Sequence, residues 1–190
     1  MPQIRTLGVT TALVATGVMV LSSVAAAHAG PHFGPWEFDN RWVGTDGPDE
    51  YSAPDESRDL IIGLAGDDVL RAGDRRDLVR GNDGDDKIAG GPGSDKIVGG
   101  LGEDRLHGGR QGDKIVGGPG ADGINGGLGH DLIKAGKGGD RIVANDGMRD
   151  HIICGPGFDS VSYTHLRAHE TLGSISYAVF CLKKGGGGGG

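Results

Sequence analysis

Aspartate recurs at every ninth position through the middle of this chain: Asp68, Asp77, Asp86, Asp95, Asp104, Asp113, Asp122, Asp131 and Asp140. Glycine stands two residues before all of them except Asp77 and Asp113, which follow Arg75 and Gln111. Carboxylates and backbone carbonyls are hard oxygen donors. Calcium takes 6–8 such oxygens at ~2.3–2.6 Å, whereas magnesium demands a tighter octahedron and keeps its waters. The residue types therefore point to calcium, and their number to several ions. A turn aspartate can instead cap its own backbone. That use accounts for a single residue, not for nine at a constant interval.

The element that must position these side chains is a nonapeptide, G-G-x-G-x-D-x-U-x, with U a large aliphatic residue. It tiles without a gap from Gly63 to Val143; Gly90-Gly91-Pro92-Gly93-Ser94-Asp95-Lys96-Ile97-Val98 is one copy. Repeats of this kind are the mark of a parallel β-helix that binds calcium. The x-U-x triplet reads as a short strand whose U side chain points inward, since alternate strand residues share a face. The inward set is Leu70, Val79, Ile88, Ile97, Leu106, Ile115, Ile124, Ile133 and Ile142. The first six positions read as turn, where glycine permits positive φ. One buried aliphatic per block is a small gain against the entropy of ordering so glycine-rich a backbone. Stacked carboxylates also repel each other. The pattern thus predicts a fold that depends on its cation.

In these blocks the chain resembles the haemolysin-type (RTX) calcium-binding repeat proteins, from roughly Gly44 to Asp159. The resemblance implies an all-β parallel β-roll, a β-helix-type solenoid in which two repeats make one turn. It implies calcium held between the glycine-aspartate loops of successive turns, with backbone carbonyls of alternate turn residues completing the shell. Only intact G-x-G-x-D blocks receive that carry-over, which places Gly84, Gly93, Gly102, Gly120 and Gly129 beside the nine aspartates as metal-site residues.

Two blocks per turn sort the sites into two rows. Row one carries Asp68, Asp86, Asp104, Asp122 and Asp140 and keeps glycine at position four throughout. Row two carries Asp77, Asp95, Asp113 and Asp131, with Arg75 and Gln111 at two of its four glycine positions. A side chain where positive φ is required strains the turn, and Arg75 and Arg76 bring positive charge toward a cation site. Row one is expected to bind calcium better.

The flanks read differently. Arg5 is the only charge before Glu37, an apolar run follows from Leu7 to Val24, and Ala27-His28-Ala29 brackets a cleavage site. Residues 1–29 read as a secretory signal peptide, which makes the expected location extracellular. Phe33, Trp36, Phe38 and Trp42 make residues 30–43 an aromatic cap or linker, because solenoid ends need covering. Gly44–Ser52 and Pro54–Ile62 are degenerate repeats with Ala53 inserted, expected to bind metal weakly or not at all. The roll is assigned to 44–160. Ala144–Ile153 is a block with one extra residue, and Cys154 restarts the pattern up to Asp159.

From Val161 on, no repeat phase is read. Residues 161–190 resemble a translated sequencing-library adapter, ending in six glycines, and are expected to be a non-native, disordered tail. On that reading Cys181 does not belong to the protein, and Cys154 is left with a partner missing from this chain, consistent with the secreted relatives that end in a second cysteine. His165, His169 and Glu170 are then no metal cluster.

The formal net charge is −7. It argues against nucleic acid or anionic lipid and for cations as partners. No Gly-x-Ser-x-Gly and no His-Glu-x-x-His occurs. The expected protein is a secreted calcium-binding roll without catalysis or a membrane span after cleavage. The resemblance leaves a second expectation open: a stalk or secretion module, or a fragment, of a larger secreted enzyme, toxin or adhesin.

Overall fold

The computed structural model describes residues 38–54, 56–164 and 176–182, the last segment and residues 163–164 by their backbone alone. The signal peptide reading of 1–29 and the aromatic residues Phe33 and Trp36 lie outside the described residues.

Every described element is a strand. They are β1 (Asn40–Val43), β2 (Glu50–Ser52), β3 (Asp59–Ala65), β4 (Val69–Arg71), β5 (Leu78–Asp83), β6 (Lys87–Pro92), β7 (Lys96–Leu101) and β8 (Arg105–Arg110). Then follow β9 (Lys114–Pro119), β10 (Gly123–Leu128), β11 (Leu132–Lys137), β12 (Arg141–Ala144), β13 (His151–Ile153), β14 (Phe158–Thr164) and β15 (Ser176–Leu182). Odd strands up to β13 form one sheet in the order β1-β3-β5-β7-β9-β11-β13, and β15-β14-β12-β10-β8-β6-β4-β2 form the other. All pairs are parallel except β14 with β15. The chain therefore climbs by alternating between two facing sheets, a parallel β-roll of about seven turns. Among the described residues no helix is long and apolar enough to cross a membrane.

The inward aliphatics stack in register. Ile61, Val79, Ile97 and Ile115 align in one sheet, and Leu70, Ile88, Leu106 and Ile124 in the other. Together with Ile133 and Ile142 they are 0–2 % exposed and make one core. Inserted Ala53 joins that core. At the N-terminal end the inward positions belong to Trp42 and Tyr51, whose rings stack at 4.5 Å and 15°.

Three expectations need correction. First, the strand is six residues long, x-U-x-G-G-x, as in Lys87–Pro92, and the turn only three, G-x-D. Glycines at positions one and two join the inter-turn ladder: Gly91 pairs with Gly109, and Gly109 with Gly127. Second, the roll does not stop at Asp159. Val161 stands two residues after that aspartate, in the U position. It pairs with Ile142 and is 5 % exposed, and β15 then runs antiparallel along β14. Third, Cys154 is disulfide-bonded, and the only other cysteine of the chain is Cys181. Cys154 takes position one of its block, where the side chain faces the core, and is 6 % exposed.

Candidate metal centre

Each position-six aspartate is locked by the turn below it. The backbone N–H of Asp68 donates to Oδ1 of Asp86 at 2.9 Å, that of Asp86 to Asp104 at 2.9 Å, and that of Asp104 to Asp122 at 3.0 Å. Row two repeats this: Asp77 N–H to Asp95 Oδ1, Asp95 to Asp113 and Asp113 to Asp131, at 2.8–2.9 Å. The Asp carbonyl in turn accepts from the position-seven N–H of the next turn, as in Lys87 N–H to Asp68 O at 2.8 Å. These bonds fix χ1 and hold every carboxylate inside the turn, at most 3 % exposed for the nine predicted aspartates.

The second oxygen has no such partner. Oδ2 of Asp68, Asp77, Asp86, Asp95, Asp104, Asp113, Asp122, Asp131, Asp140 and Asp159 is buried and accepts no hydrogen bond. Buried polar groups are nearly always satisfied, so two parallel lines of orphaned acceptors require an explanation.

Their surroundings supply one. In the blocks beginning at Gly63, Gly81, Gly90, Gly99, Gly108 and Gly117, a Cβ on the first glycine would collide with Oδ2 of that block's own aspartate. It would also meet the position-one carbonyl oxygen of the next turn. At Gly99 these two atoms are Asp104 Oδ2 and Gly117 O. The glycine at position one thus lets the buried Oδ2 and the carbonyl of the next turn pack against its Cα, and no donor reaches that Oδ2. A cation would supply the positive charge that the orphaned Oδ2 atoms lack. Among the described residues no three acidic, histidine or cysteine side chains share a point, so carbonyls must supply most of a shell of 6–8 oxygens. In the blocks that begin with Ala72 and Ala135 a methyl group stands at this position.

The electrostatics agree. Burial pushes the Asp95 carboxyl up to about 8, against the restraining hydrogen bond from Asp77 N–H, and the neighbouring Asp113 and Asp77 add to the rise. Burial likewise raises Asp77, Asp86 and Asp113 to about 7 and Asp122 to about 6. Asp68, Asp104, Asp131 and Asp140 are shifted upward from the same first cause. A line of like charges withdrawn from water resists ionisation unless a positive charge joins it.

The position-four glycines act through their backbones. A side chain on Gly84, Gly102, Gly120 or Gly129 would run into the position-four carbonyl of the turn before, and all four take positive φ, from +126° to +152°. A Cβ on Gly93 would strike the Arg75 carbonyl. Arg75 and Gln111 keep positive φ but at +76° and +71°, the left-handed helical region that an L-residue tolerates only with strain.

The ladder extends past the nine predicted aspartates. Asp49 and Asp59 donate to Asp68 and Asp77, and Asp150 and Asp159 accept from Asp131 and Asp140, both at 2.9 Å. The sequence signal for Asp159 was the aliphatic two residues on; Asp150 was hidden by the extra residue in its block. The degenerate turns differ in one respect. Thr45 donates its N–H and hydroxyl to Asp49 Oδ2, at 2.6 and 3.0 Å, and the Ser57 hydroxyl donates to Asp59 Oδ2 at 2.8 Å. Local side chains there occupy the oxygen that the intact turns leave open.

The family model of the RTX calcium-binding nonapeptide repeat, four copies long, matches residues 55–74, 62–97, 71–106, 98–133 and 125–147. The chain is an RTX-type repeat protein. No curated protein and no solved structure gives a match. The RTX match makes this a calcium-binding repeat protein, and its span takes in the orphaned Oδ2 atoms from Asp68 to Asp140. The buried carboxylate lines of this RTX roll are where a metal would supply the positive charge that they lack.

Proposed function

We propose that this is a secreted protein whose β-roll folds around several calcium ions held between its turns, with no catalysis of its own. The observation that carries the reading is the pair of buried Oδ2 lines that no donor reaches. The nine predicted aspartates are the carboxylate ligands, and Gly84, Gly93, Gly102, Gly120 and Gly129 contribute backbone. Extracellular calcium is plentiful, so a chain too glycine-rich to order alone would complete folding only after export. The leader-like residues 1–29 support that route.

A single methyl group tests the Oδ2 line. Gly99 does not take positive φ, so Gly99→Ala changes the space beside Asp104 Oδ2 without demanding a forbidden backbone. Calorimetric titration should show fewer calcium ions bound and a higher calcium midpoint than in the parent chain. An unchanged stoichiometry and midpoint would place the metal elsewhere. Export is tested in the same expression culture: a chain beginning at Gly30 is expected in the medium, and retention in the cell with residues 1–29 intact would refute secretion.

A further inference from the structure

A groove of about 460 Å³ runs across the row-two turns, where β5, β7 and β9 begin. Its lining includes Phe38, Arg76, Leu78, Lys96 and Lys114 over the buried row-two aspartates. Lys96 and Lys114 are register partners on neighbouring strands, which sit ~4.7–4.9 Å apart. Like charges side by side on a sheet are destabilising. At position five of the same turns stand Arg76, Ser94 and Gly112, so no exposed carboxylate answers them, and the acidic groups on the groove are the buried Asp77, Asp95 and Asp113. Arg58, also on the groove, is engaged by Asp39 at 3.3 Å. Among the described residues no ion pair engages Arg76, Lys96 or Lys114.

The opposite edge shows what a balanced version looks like. There Lys87 and Arg105 are register partners in the same way, but they share their hollow with Asp67, Asp85 and Glu103. Position five supplies a carboxylate at each of those three turns. Row two thus carries a repulsion that no exposed carboxylate of its own turns relieves, next to an aromatic ring and the apolar stems of lysine and leucine.

We infer that this groove binds an acidic polysaccharide chain. A glycan of uronate or sulfated rings carries an anion on each ring, a repeat close to the spacing of successive strands. The C–H face of a sugar ring fits Phe38 and Leu78, while Arg76, Lys96 and Lys114 pair with the anions. An extended acidic peptide suits the ladder less well, because side chains on one of its faces recur at roughly 6.6–6.8 Å, twice the rise per residue. The inference rests on the calcium reading, because Asp77, Asp95 and Asp113 also line the groove and a metal must meet their charge before an anion sits over them.

Binding is measured by titration at low salt, under conditions where circular dichroism shows the roll folded. The probes are polygalacturonate, chondroitin sulfate, neutral dextran, polyglutamate and single-stranded DNA. Polygalacturonate, chondroitin sulfate or both are expected to bind, and the pair tells carboxylate from sulfate recognition; dextran is expected not to bind. Exposed charge pairs are individually weak, so the reversal Lys96→Glu with Lys114→Glu should weaken binding about tenfold, and 1 M salt should abolish it. Phe38→Ala should weaken it about threefold. Lys87→Glu with Arg105→Glu, on the other edge, should leave it unchanged. If the charge reversal disturbs the roll, Lys96→Gln with Lys114→Gln is read in its place. The inference is overturned if neither acidic glycan binds the folded chain. It also fails if both double variants lose binding equally, or if polyglutamate or DNA binds as tightly as the glycans.

Discussion

The two turn rows share one interior and differ in everything outside it. In both, the aspartate N–H reaches the carboxylate one turn on at 2.7–3.0 Å, and Oδ2 is left without a donor. At position four, row one keeps glycines with φ between +105° and +152°, while row two bends Arg75 and Gln111 to +76° and +71°. At position five, row one presents Asp67, Asp85 and Glu103, and row two Arg76, Ser94 and Gly112. Position six therefore lines up the carboxylates in both rows, whereas positions four and five set each row's backbone and outer charge. The difference teaches that a repeat can hold its binding chemistry constant while its two edges diverge.

The largest expected effect separates the rows directly. Asp104→Ala and Asp113→Ala each strand one backbone donor, that of Asp86 or Asp95, at a cost of about 1–3 kcal/mol. That loss is common to both, so the contrast reports the metal. Asp104→Ala should lower the calcium stoichiometry and thermal midpoint more than Asp113→Ala, whose turn already carries Gln111. Equal losses in calorimetric titration would show that position four does not grade the sites.

Acid sharpens the same contrast. In the metal-free roll burial holds Asp95 near 8 and Asp77, Asp86 and Asp113 near 7, against an ordinary value of 3.8. Between about pH 4 and 8 the folded chain then binds more protons than the unfolded one, so its stability rises as pH falls through that window. Protons and calcium compete for the same carboxylates. In chelator, β-structure should increase from pH 8 to pH 5, and in calcium the midpoint concentration should climb over the same range. A metal-free chain that loses structure on acidification would contradict the assigned burial.

The smallest effect concerns one turn. Gln111→Gly removes the left-handed strain and should raise the midpoint in calcium, by up to about 1 kcal/mol after the entropy of the added glycine. A lower midpoint would mean that the Gln111 side chain contributes something its exposed position does not show.

Much of this was legible in the sequence because the period that sets the turns also sets the core. Ile97 or Ile115 is recognisable as inward from spacing alone. The strands were longer than the triplet reading because glycines such as Gly91 and Gly109 have little strand propensity of their own; the inter-turn hydrogen bonds hold them in the ladder. The packing of Asp104 Oδ2 and the Gly117 carbonyl against Gly99 is not legible in the sequence, because the two oxygens come from different turns. Val161 is not legible as inward because no further block follows it to show the phase, and only the pairing with Ile142 reveals it. The Cys154 bond is not legible because residues 161–190 read as an adapter-derived tail.

If calcium holds the two carboxylate lines together, far-ultraviolet circular dichroism at neutral pH will report its removal. The chain is measured in excess chelator and again after calcium is restored. Little β-signal in chelator, with full and reversible recovery on adding calcium but not on adding magnesium, is the result expected. Full β-structure in chelator would contradict it.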